Sequence, residues 1–208
     1  MTTATGTTPK PGELARLTAA RLTEAGLEVS GPDPDDADGR RLFIWCPGGP
    51  YSLVITDDAH AELQGDTEDP HHAADIAAAL LSPAPSTARH PAAISDGGIT
   101  FKGVTGMDLK AKGFNVTLDV YVDDFYYDVS GDIAATSPDA DAGTVYVNDD
   151  GGLTWDRDLW PEHADTEGQG AQRFRWHFPD PAAVARDIAD TITRALPTGI
   201  SHDLPAAC

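Results

Sequence analysis

Between Ser82 and Gly98 the chain reads SPAPSTARHPAAISDGG, rich in proline, alanine, serine and glycine and without a helical or strand-like apolar period. A stretch of this kind cannot bury one face of a regular element, so it reads as a linker and splits the remaining apolar residues into two groups. At 208 residues the chain has room for one large domain or two small ones. The predicted organisation is a first module over 1–82, a linker over 83–97 and a larger second module over 98–208.

The first module opens on a helix. Leu14, Leu17, Leu22 and Ala25 share a stripe, and Gly26 stands where a helix C-terminus wants a residue free to turn left-handed. Short strands follow at 27–29, at Arg41–Cys46, at Tyr51–Thr56 after the Pro47-Gly48-Gly49-Pro50 turn, and at 59–64. Asp69-Pro70 then starts a closing helix through Leu81, with Asp as cap and Pro at the first position.

The second module is richer in strands. Ile99–Val104 reads as a strand, and Val116–Val122 with Phe125–Ile133 as a hairpin turning at Asp123-Asp124. Thr144–Val147 and Leu153–Trp155 make another hairpin. Arg173–Phe178 alternates aromatic with basic residues, as a strand does. Asp180-Pro181 opens a last helix with Val184, Ile188, Ile192 and Ala195 on one stripe, ended by Pro197. The predicted class is α+β: two modules of antiparallel strands, each closed by a helix. Because both modules end on Asp-Pro followed by an alanine-rich helix, the pattern suggests a duplicated unit.

Asn148-Asp149-Asp150-Gly151-Gly152-Leu153-Thr154-Trp155 resembles the Asp-box, a turn motif found in several copies in sialidase propellers. Asp150, Gly152, Thr154 and Trp155 match it, and Asn148 stands for the usual hydroxyl residue. The resemblance implies a hairpin tied by the Asp together with the hydroxyl positions, and anchored by the aromatic. With one copy and no propeller repeat, it implies no glycosidase.

Charge narrows the partners. Fourteen Lys+Arg stand against 34 Asp+Glu, for a net charge of −20, and only seven of the acids are glutamate. Such a field repels nucleic-acid phosphates and anionic membranes and favours basic proteins or cations. No apolar run is long enough to span a membrane. The two cysteines, Cys46 in an apolar run and Cys208, make no disulfide framework, and the threonine-rich N-terminus lacks a signal-peptide pattern, so a cytoplasmic home is expected.

No residue pattern marks a known active site. His71-His72 are adjacent and do not share a helix face for a metal; there is no H-E-x-x-H, C-x-x-C, Walker or nucleophile-elbow motif. The expectation is a non-catalytic acidic protein recognising a basic protein partner, as an immunity protein, adaptor or mimic does, with neither cofactor nor metal. The candidate binding residues are Asp119, Asp123, Asp124, Asp128, Tyr126 and Trp160. The alternative is a divalent-cation-dependent enzyme or cation-binding module built on the carboxylates from Asp119 to Asp132, which suit hard cations.

Overall fold

A computed structural model describes residues 12–32, 40–55, 60–82, 100–123, 128–138, 142–159 and 180–197. Helix α1 (Glu13–Glu24) buries Leu14, Ala15, Thr18 and Leu22 and ends at Gly26, whose φ of 91° lets Leu27 N–H return to the Leu22 carbonyl. Strands β1 (Glu28–Ser30), β2 (Arg41–Cys46), β3 (Gly49–Ile55) and β4 (His60–Asp66) follow as an antiparallel meander. The Cys46–Gly49 pair closes a tight turn at Pro47-Gly48, with Gly48 at φ 107°. Helix α2 (Pro70–Leu81) starts as its sequence predicts, with the Asp69 carboxylate accepting from His71 N–H.

The stretch Ile99–Val104 corrects the strand expected there. Helix α3 (Phe101–Ala111) occupies it, capped by the Thr100 hydroxyl, which accepts from Gly103 N–H at 3.2 Å. Val104, Thr105 and two glycines depress helix propensity, but tertiary fit overrides it. The Thr105 hydroxyl binds the carbonyls of Phe101 and Pro70, and Gly106 lets the helix lie close to Ile133 and Val116.

Strands β5 (Asn115–Asp123) and β6 (Asp128–Thr136) pair in register from Asn115–Thr136 to Asp123–Asp128. The hairpin therefore closes four residues wide, not at Asp123-Asp124 as expected. Strands β7 (Thr144–Val147) and β8 (Gly152–Asp158) form the last hairpin, and α4 (Pro181–Ala195) closes the described chain with Asp180 capping Ala182 N–H. The linker, the Arg173–Phe178 segment and the C-terminal Cys208 lie outside the described residues.

The two groups of strands do not make separate sheets. β4 pairs with β8 from His60–Asp158 to Asp66–Gly152, joining the described strands in one eight-stranded antiparallel sheet of order β1-β2-β3-β4-β8-β7-β6-β5. The helices cover one face in the order α1, α4, α2, α3, each packed on the next. Leu42, Ile44, Leu53, Leu63, Val145, Leu153 and Trp155 point into that layer against Ile76, Leu80, Ile188 and Ile192, making a single core.

The Asp-box-like turn is tied by Asn148, not Asp150. The Asn148 Oδ1 accepts from Asp150 N–H at 3.0 Å and Gly152 N–H at 2.8 Å, while Asp150 is exposed. Trp155 is fully buried as the resemblance implies, and its indole N–H donates to the Ala142 carbonyl at 2.8 Å.

Candidate functional site: the open face of the sheet

Side chains alternate across a strand, so everything between the core residues faces away from the helices. On β2 these are Arg41, Phe43 and Trp45. Phe43 and Trp45 are 43% and 49% exposed, although Leu42 before them and Ile44 between them are wholly buried. The register carries the face onward: Glu28 opposite Trp45, Ser52 opposite both Phe43 and Gln64, Thr154 opposite Gln64 and Tyr146.

A shallow depression of about 490 Å³ lies across the middle of this face. Phe43, Pro50 and Ser52 line one side, Gln64 and Asp66 the floor, and Thr154, Tyr146 and Asp132 the other side. It runs over six neighbouring strands, from β2 to β6, so both halves of the chain build it.

The face is acidic. Glu62, Asp66, Asp119, Asp132, Asp156 and Asp158 lie on it, with Glu28 beside Trp45, against Arg41 and His60. His60 sits between two of the acids, with Nε2 3.1 Å from Asp156 and Nδ1 3.4 Å from Asp158. Partial burial pushes the Asp156 carboxyl above its usual range. His60 pulls it down, and the charges of Asp158 and Glu62 push it up again. Gln64 bridges to the Glu62 carboxylate.

Of the residues singled out from sequence, Asp119 is exposed on β5 directly opposite Asp132 on β6. Asp123 and Asp128 are register partners at the far end of the same hairpin. Asp124, Tyr126 and Trp160 lie outside the described residues. Among the described residues, no group of three or more His, Cys, Asp or Glu side chains is placed to hold a metal ion, and no helix is long and apolar enough to cross a membrane. Cys46 is half-buried, its thiol donating to the Gly49 carbonyl at 3.4 Å, and burial raises its pKa. A raised thiol is a poor nucleophile.

Sequence reasoning missed the aromatic half of the site. Phe43 and Trp45 belong to the run Leu42-Phe43-Ile44-Trp45, apolar at every position, so its alternation offers two apolar faces and does not say which is covered. Asp66 and Tyr146 gave no signal, because they become neighbours only through the β4–β8 junction.

Comparison with protein-family models, with curated proteins and with solved structures finds no match to this chain.

Proposed function

We propose that the chain is a non-catalytic binding protein whose open sheet face receives a basic protein partner. The observation that carries this reading is the exposure of Phe43 and Trp45 beside an acidic depression. Solvated aromatic rings of this size are disfavoured in water unless something covers them, and aromatics are the residues on which interfaces most often depend. The surrounding carboxylates select for positive charge and speed the encounter, while they repel phosphates and anionic lipid. The depression is shallow and polar at its floor, which suits a protruding side chain better than an enclosed small molecule.

Among the described elements, the order helix, four strands, helix occurs in each half of the chain. Both closing helices begin on Asp-Pro with the Asp carboxylate over the N–H two residues on. These two correspondences support descent from a duplicated unit, and the binding face then spans the junction between its copies.

Affinity capture from the native lysate, using the whole chain, tests the reading. A basic protein should be retained at low salt and released as salt rises, since exposed charges are screened over about 8 Å at physiological ionic strength. Phe43→Ala/Trp45→Ala should lose it. Retention by that double variant at both salt concentrations sinks the proposal.

A further inference from the structure

The two edges of the sheet are unlike. β1 is three residues long and stops at Gly31-Pro32, which ends pairing. β5 is nine residues long, contains neither proline nor lysine, and among the described residues pairs only with β6. Natural sheets blunt such an edge unless another strand uses it.

Its two sides are equally unlike. On the helix side, α3 covers Val116 but not the residues beyond it, and Leu118 and Val120 are 62% and 53% exposed. On the open side stands Asp119, with Asp132 opposite it on β6. We propose that the outer edge of β5 accepts an extended segment of the basic partner as an added strand, and that this segment alternates apolar with cationic side chains. The apolar set lies along Leu118 and Val120, and the cationic set beside Asp119 and Asp132. Main-chain hydrogen bonds along the edge supply affinity, and the alternation supplies specificity. A second copy of the chain fits less well, since it would lay one acidic open face beside another at a net charge of −20 each.

This inference rests on the reading of a basic partner and adds how that partner is held. Its test uses the whole chain and two fluorescent arginine–valine peptides of about ten residues, a long strand's length. One peptide alternates the two residues; the other groups them in blocks. The alternating peptide should bind about tenfold more tightly. It should protect backbone amides of residues 115–123, and not 28–30, from hydrogen exchange. Leu118→Lys/Val120→Lys, at positions already exposed, should abolish the preference.

Equal binding of the two peptides, protection away from β5, or indifference to the lysine pair overturns the proposal. Sedimentation showing a dimer that the lysine pair dissolves assigns the edge to a second copy instead. Residues 173–178, Arg-Phe-Arg-Trp-His-Phe, carry the same alternation. Binding that emerges only in Arg173→Glu/Arg175→Glu assigns the edge to this chain's own segment. The wider binder reading fails separately, through partner retention by Phe43→Ala/Trp45→Ala.

Discussion

The ring of Tyr51 fills the space that a side chain at Gly65 would take. Tyr51 on β3 is 2% exposed, and its ring rests against the bare backbone of β4 where the sheet passes from one half of the chain to the other. Gly65→Ala should therefore lower stability by about 1–3 kcal/mol through overpacking. In a Tyr51→Ala background the same change should cost much less. Urea denaturation of the four proteins in the cycle measures the coupling.

The same contact has an alkaline signature. Burial raises the Tyr51 phenol to about 12, helped by the nearby negative charges of Cys46 and Asp66. A folded pKa above the unfolded one, about 10, means the native state keeps its proton longer. Its contribution to stability is complete below that unfolded value and is lost as pH climbs toward 12. Phenolate absorbance should show a late ionisation step, and Tyr51→Phe should remove it.

Asp156 works in the opposite sense to a salt-bridged acid. Its folded pKa is raised, first by burial, so the native state binds the proton more readily than the unfolded chain. Its charge therefore opposes folding at neutral pH, and that opposition fades as pH falls through the raised pKa. His60→Ala removes the attraction that holds the shift in check. Carbon-13 carboxyl titration should then find Asp156 higher still; a fall would contradict the placement of His60 between Asp156 and Asp158.

Asn148 holds the β7–β8 turn through two backbone N–H groups. Asn148→Ala should cost about 1–2 kcal/mol, because those donors lose their acceptor. Asp150→Ala should stay within about 0.5 kcal/mol, as a change at an exposed side chain does. Thermal unfolding of the two variants separates them, and equal losses would return the tie to Asp150.

Asp119 and Asp132 face each other as like charges across one strand pair. Asp119→Asn should raise stability by about 0.2–1 kcal/mol by relieving that repulsion. Calcium, magnesium and manganese should each give a small, similar thermal shift. A saturable, selective shift that vanishes in Asp119→Asn/Asp132→Asn would favour the cation-binding reading over the binder.

Local chemistry was legible wherever it decided the outcome locally. Helices α2 and α4 announce themselves because Asp69-Pro70 and Asp180-Pro181 supply cap and first turn together. Gly26 marks the end of α1 for a similar reason. Helix α3 was hidden because Gly103, Val104, Thr105 and Gly106 argue against a helix one by one, whereas Gly106 is there to bring the helix onto Ile133 and Val116. The single sheet was hidden because His60 and Asp158 are 98 residues apart in sequence, and no local pattern specifies which edges will join. The acids of the candidate site could be read from composition. Their aromatic neighbours could not, since exposure of Phe43 and Trp45 depends on which face of the sheet the helices settle on.

The place of α4 between α1 and α2 sets an order on synthesis. As the ribosome delivers the first half, Leu14 and Leu22 on α1 and Ile76 and Leu80 on α2 have no wedge between them, for Ile188 and Ile192 are still more than a hundred residues from being made. Contacts so distant in sequence form slowly, and a nascent apolar cleft is a natural ligand for chaperones. The N-terminal half is thus committed to wait, open, for the last helix to arrive.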